Sequence, residues 1–180
     1  MSLKIVLELS DADLKHFRGA MRKASRTDKP VEEVVAAARE LIAASQSRKL
    51  PAFVKGRLGC LEQMVDMLAD QEWKISGKDR QRIASALAYF ADAEDLIPDS
   101  VPTLGFVDDA IMIELVTREL KHDMEAYRDF CVYRANHEAR LKDRKDQNAA
   151  REAWLADRRA VLQSRMRRRR RSGTTRYIWG

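Results

Sequence analysis

The stretch Asp95-Leu-Ile-Pro-Asp-Ser-Val-Pro-Thr-Leu-Gly-Phe-Val-Asp-Asp109 lies between two long helical patterns and decides how the chain is organised. Pro98 and Pro102 each fix φ and lack an N–H, and each disfavours a helical conformation in the residue before it. A helix that reaches this stretch must therefore end by about Ile97. Gly105 permits a positive φ just before the next helix. The stretch predicts a sharp corner between two helices.

Four carboxylates lie in this corner. Asp95 and Asp99 can accept hydrogen bonds from nearby backbone N–H groups, as aspartates do in turns. Asp108 and Asp109 fall in the first turn of the next helix, where the helix dipole favours negative charge. Carboxylates also suit Mg²⁺ or Ca²⁺, but this spacing matches no known ligand loop. We predict caps and turn bonds with no bound metal and no cofactor, and a metal or a basic partner is the alternative.

The corner resembles a known family signature. Asp-Leu-Ile-Pro-Asp from Asp95, the proline at Pro102, and Gly-Phe-Val-Asp-Asp-Ala from Gly105 are similar to the signature of the YkvA-like family. These bacterial proteins are grouped as a domain of unknown function, and the resemblance covers about residues 80–120. It implies a small helical domain built around the corner, without an established reaction or substrate. The candidate structural or docking residues are Asp95, Pro98, Asp99, Pro102, Gly105, Asp108 and Asp109.

Composition and periodicity predict an all-α protein of about five helices, with a helical domain over residues 1–133. Glycine and proline number seven and four in 180 residues, which favours long helices. Ser10 and Ser76 each precede an aspartate by three residues, as in a capping box. The 3.6-residue period is clearest in the stripe Val31, Val34, Val35, Ala38, Leu41 and Ile42. Gly56 and Gly59 lie inside the third helix, where we expect them to permit close packing against another helix.

Charge is distributed unevenly along the chain, whose net charge is +6. Residues 1–49 carry a net charge of +3, residues 50–125 carry −7 and residues 126–180 carry +10. Residues 134–171 combine high helix propensity with few apolar positions, so we predict an extended charged helical arm. Residues 172–180 are predicted to form a flexible aromatic tail. A basic end after an acidic middle indicates either an anionic partner or a tail that folds back on its own core.

The end of the chain holds the candidate nucleic-acid-binding residues. They are Arg165, Arg167, Arg168, Arg169, Arg170, Arg171, Arg176, Tyr177 and Trp179. Guanidinium groups beside aromatic rings suit phosphates and stacked single-stranded bases. Two alternatives stay open, a disordered solubilising terminus and a peripheral contact with an anionic membrane surface.

No pattern of catalytic residues is visible, so we predict a non-enzymatic cytoplasmic helical interaction module with a protein partner. The histidines His16, His122 and His137 lack a zinc-binding spacing, and no phosphate-binding glycine motif occurs. Cys60 and Cys131 are expected to be buried, reduced thiols. No apolar run is long enough for a transmembrane helix, and no signal peptide is visible. The alternative function is association with RNA or the ribosome through the arginine-rich arm.

Overall fold

The computed structural model describes residues 8–26, 29–46, 49–91, 106–141 and 148–172. Within these ranges the protein is all-α, as predicted, with seven α-helices and no strand. The helices are α1 (Asp11–Ser25), α2 (Val31–Gln46), α3 (Ala52–Ala69), α4 (Gly77–Leu87), α5 (Val107–Glu119), α6 (Lys121–Leu141) and α7 (Asn148–Ser172). A short 3₁₀ helix, Ala88–Ala91, continues α4.

The two predicted caps form. The Ser10 side chain accepts a hydrogen bond from the Asp13 N–H, and the Asp13 carboxylate accepts one from the Ser10 N–H, which completes the capping box of α1. Ser76 caps α4 by accepting from the Asp79 N–H. These contacts span only three residues, so the local sequence is sufficient to specify them.

Helix α3 lies at the centre of the core. Seven of its residues are buried, namely Val54, Leu58, Leu61, Met64, Val65, Met67 and Leu68. It contacts α2, α4, α5 and α6, which explains its burial on several sides. The expectation for Gly56 and Gly59 was wrong, because a Cβ added at either position would meet no heavy atom within 4 Å.

The chain differs from the predicted five helices beyond the corner. Two separate helices follow the corner, because α5 ends at Glu119 and α6 begins at Lys121. Leu120, between them, adopts φ −93° and ψ 12°, and its side chain is fully buried. Burial of this leucine is compatible with a change of helix direction that no glycine or proline signals in the sequence.

Helix α7 does not extend away from the domain, contrary to the predicted arm. It packs antiparallel to α6, with the His137 ring stacked on Trp154 at 3.7 Å and Arg165 paired with Asp129 at 3.9 Å. Three apolar side chains of α7 are 0–1% exposed: Leu155, Leu162 and Met166. The predicted arm therefore belongs, over the described part of α7, to the same hydrophobic core as the rest of the domain.

Candidate functional site

Besides α6, helix α7 contacts the turn between α3 and α4. Asp70 accepts hydrogen bonds from the backbone N–H groups of Glu72 and Trp73, at 2.8 and 3.1 Å, which folds the chain back. Lys74 follows with a positive φ of 44°, unusual for a residue other than glycine. The Trp73 ring is fully buried against Phe130 of α6, with ring centroids 5.1 Å apart.

Helix α7 satisfies two backbone carbonyls of this turn. Gln163 donates to the Trp73 carbonyl at 2.8 Å, and Arg159 donates to the Glu72 carbonyl at 2.6 Å. An unpaired backbone group buried away from water costs free energy comparable to a lost hydrogen bond. The turn therefore relies on α7 for part of its hydrogen bonding, although the two segments lie about half the chain apart.

Five carboxylates from residues 50–125 form ion pairs with arginines of α6 and α7. We name these five the acidic seat: Asp70, Glu72, Asp79, Asp123 and Glu125. Arg151 binds Glu72 at 2.5 Å, and Arg169 binds Glu125 at 3.1 Å. Arg134 of α6 joins Asp70 and Glu72, at 2.9 and 2.8 Å.

Arg170 makes the deepest of these contacts. Its guanidinium lies 2.6 Å from Asp79 and 3.8 Å from Asp123, and Arg167 adds a second contact to Asp79 at 3.1 Å. Asp123 has no exposed surface and is also paired with Arg82 at 2.5 Å. A buried carboxylate needs such partners, because removing one leaves an uncompensated charge in a poorly solvated place.

The electrostatics of the acidic seat favour ionised carboxylates. Burial by itself would raise the pKa of Asp79, but hydrogen bonds from Arg170, Ser76 and Arg167 outweigh it and lower the pKa to about 2. The Asp70 carboxyl has a lowered pKa for the same balance of reasons, with the Glu72 and Trp73 N–H groups and Arg134 outweighing burial. A carboxylate with so low a pKa is a poor general base. The arrangement is suited to holding α7 in place rather than to moving protons.

The helical period divides the predicted arginine run. Arg167 and Arg170 face the core, Arg169 and Arg165 lie at the edge towards α6, and Arg168 and Arg171 are exposed to solvent. Within the described ranges, only the last two of these six side chains have no ion pair. Arg176, Tyr177 and Trp179 lie outside the described residues.

The predicted corner is only partly described. Asp95, Pro98, Asp99, Pro102 and Gly105 lie outside the described residues. Asp108 and Asp109 lie in the first turn of α5, as predicted, and are only 1% and 5% exposed. These two carboxylates are therefore not available as an exposed docking face. Across the part of the chain that the structure describes, no three His, Cys, Asp or Glu side chains lie close enough together to hold a metal ion.

Sequence reasoning did not predict that Asp79 and Asp123 pair with arginines of α7. Two signals pointed towards them. The acidic block at residues 50–125 was large enough to neutralise most of the basic end, and Leu155, Leu162 and Met166 have the spacing of one helix face.

Comparison with known proteins gives a partial match to a family of unknown function. The model of a family described as "Protein of unknown function (DUF1232)" matches residues 81–115. The match includes most of α4, the 3₁₀ helix, the corner and the first part of α5, and it excludes α1 and α7. No curated protein and no solved structure matched the chain. Among the described residues, no helix is both long and apolar enough to cross a membrane.

Proposed function

We propose that this chain is a non-enzymatic helical interaction module that binds a protein partner through the outer face of the α6–α7 pair. The observation that carries the proposal is the exposure of two valines on that face. Val132 of α6 is 55% exposed and Val161 of α7 is 49% exposed. The only other exposed large apolar side chain in the described ranges is Phe53, on α3.

The register of the two helices brings the valines to the same level. Asp129 and Arg165 form an exposed ion pair across the helices. Val132 follows Asp129 by three residues and Val161 precedes Arg165 by four, so each valine shares a helix face with its charged neighbour. Arg168 lies near the same face and is exposed. A partner with a small apolar centre and an acidic rim would complement this surface.

A cytoplasmic location and membership of the YkvA-like family are parts of the same proposal. Cys60 and Cys131 are unpaired and lie on different helices, which supports a reducing, cytoplasmic environment. The YkvA-like resemblance over residues 80–120 is compatible with the match to residues 81–115. Neither family description supplies a partner, so the proposed surface rests on the geometry of α6 and α7.

The experiment compares valine variants with a matched apolar control. Tagged wild-type protein, Val132→Glu, Val161→Glu and Phe53→Glu are used to capture partners from a nuclease-treated native lysate. Wild type and Phe53→Glu are expected to retain the same protein, and each valine variant is expected to lose most of it. Equal capture by all four proteins would contradict the proposed surface, and capture that disappears with nuclease would favour the nucleic-acid function.

The alternative function, binding of RNA or the ribosome through the arginine-rich end, has less support among the described residues. Four of the six arginines between residues 165 and 171 are paired with carboxylates of the protein itself. Arg168 and Arg171 remain for an external phosphate. The double variant Arg168→Gln with Arg171→Gln is expected to lose salt-sensitive RNA binding if this alternative is correct, and unchanged binding would contradict it.

A further inference from the structure

Helix α1 has a basic face whose members form no ion pair with a carboxylate of the described chain, although Asp11 lies one turn before it. Lys15, Arg18, Arg22 and Arg26 recur at intervals of three or four residues, so they lie along one side of the helix. Lys15, Arg18 and Arg26 are exposed and Arg22 is half-buried. Within the part of the chain that the structure describes, their side chains form no ion pair. We name these four residues the α1 stripe.

The apolar face of α1 packs on the core, so the α1 stripe on the opposite side faces solvent. Met21 and Ala24 are 1% exposed, and Leu14 and Phe17 pack against the same core. Helix α1 contacts α4 and the 3₁₀ helix through this apolar side. Because a helix cannot rotate without exposing its buried face, the basic residues are held towards solvent.

In the described part of the chain, the α1 stripe is uncovered near Gly19. Gly19 lies between its members, and a Cβ added there would meet no heavy atom within 4 Å. A shallow depression beside Gly19 is lined by Arg22, Lys23 and Arg26. Among the described residues, a ligand can therefore reach Arg22 and Arg26 through this depression.

We propose that the α1 stripe binds the phosphate backbone of double-stranded nucleic acid without reading its bases. From Lys15 to Arg26 the helix rises about 16 Å, at ~1.5 Å per residue. One strand of a duplex carries a phosphate every ~3.4 Å of axis, so the stripe spans about five phosphates. Three of its four members are arginines, whose planar donors bind phosphate in a bidentate manner.

The side chains of α1 favour a nucleic-acid duplex over a single strand or an anionic membrane surface. Single strands are bound with the help of exposed aromatic rings, and the Phe17 ring is packed against the core on the far side of the helix. A membrane-surface helix inserts an apolar face into lipid, and none of the exposed large apolar side chains in the described ranges belongs to α1. Contacts limited to phosphates position a protein on a duplex but carry no sequence information.

The test measures binding of the full chain to a short random-sequence DNA duplex by fluorescence anisotropy, as a function of salt. Four phosphate contacts predict a log–log slope of about −3.6, on a coefficient of ~0.9 per phosphate. The stripe variant replaces Lys15, Arg18, Arg22 and Arg26 by Gln. It is expected to weaken binding at least tenfold at about 50 mM salt and to remove most of the slope.

The matched control removes the same charge from α7, through Arg165→Gln, Arg168→Gln, Arg169→Gln and Arg171→Gln. These four side chains are exposed, so the control is expected to keep both its fold and its duplex affinity within about twofold. Circular dichroism and thermal melting of both variants check that each remains folded.

Four outcomes would overturn the proposal. The first is wild-type protein without salt-sensitive duplex binding. The second is an equal loss in both variants, which would show an effect of net charge alone, and the third is a loss confined to the α7 variant. The fourth is stripe-dependent binding to vesicles containing phosphatidylserine with none to the duplex, which would assign the α1 stripe to a membrane surface.

Discussion

Helices α1 and α7 are both rich in basic residues, but they differ in where the opposing charge comes from. In α7, carboxylates of the protein itself form ion pairs with Arg151, Arg167, Arg169 and Arg170. In α1, the four basic residues of the stripe form no ion pair in the described ranges. The difference shows that the density of arginines along a sequence does not measure the positive charge that a surface offers to a partner.

The two helices also differ in what their basic residues do for stability. The guanidinium of Arg170 is 13% exposed and faces Asp123, which has no exposed surface. An exposed lysine or arginine without a partner contributes little to the free energy of unfolding. Matched substitutions in the two helices should therefore have clearly different effects on the free energy of unfolding.

Arg170→Ala tests the largest expected difference. It leaves Asp79 and Asp123 with fewer compensating charges, so we expect it to lower the free energy of unfolding by about 3–4 kcal/mol. Arg18→Ala, in the α1 stripe, should change it by less than about 0.5 kcal/mol. Urea unfolding of both variants measures the comparison, and equal effects would remove the distinction between the two helices.

Leu162→Ala tests whether α7 belongs to the hydrophobic core. The Leu162 side chain is 1% exposed, so its truncation should cost about 3 kcal/mol. The neighbouring Val161 is 49% exposed, and Val161→Ala should cost less than about 0.5 kcal/mol. The midpoint of urea unfolding is the readout, and a free arm would make both substitutions equally mild.

The pH dependence of stability tests the Asp79 contact. The pKa of Asp79 falls from 3.8 to about 2 on folding, so its contribution is present above about pH 4 and lost as the pH falls towards 2. The shift corresponds to about 2 kcal/mol. Asp79→Asn should lose about this amount at pH 7, and its difference from wild type should shrink as the pH decreases. A constant difference from pH 7 to pH 2 would contradict the assigned ionisation.

Gln163→Ala tests the hydrogen bond to the α3–α4 turn. Gln163 is buried and donates to the Trp73 carbonyl, so its removal should cost about 1 kcal/mol. Ser164→Ala changes an exposed neighbour and should be neutral. Thermal melting of the two variants decides whether the turn depends on α7.

The parts of the fold that the sequence predicted are those specified by residues close in the chain. The caps at Ser10 and Ser76 depend on contacts three residues apart. The apolar stripe of α2 and the burial of Met64 follow from the helical period alone. The all-α class follows from the same local signals, because caps begin α1 and α4 and apolar stripes mark α2 and α3.

The packing of α7 against the rest of the domain could not be predicted from local sequence. Arg170 and Asp79 are 91 residues apart, and no local pattern identifies which carboxylate accepts which guanidinium. High charge reduced the apparent amphipathicity of α7, although Met166 marks its buried face within the arginine run. The break at Leu120 was missed because no glycine or proline marks it in the sequence.

Amide hydrogen exchange shows whether the arginine-rich helix α7 is a docked part of the domain. Residues 155–170 are expected to exchange with protection close to that of the central helix α3, because opening α7 would expose Trp73 and the acidic seat. High salt should lower the protection of α7 without abolishing it, since Leu155, Leu162 and Met166 also hold the helix. Exchange of these amides within seconds, while α3 stays protected, would show a free arm and contradict the account.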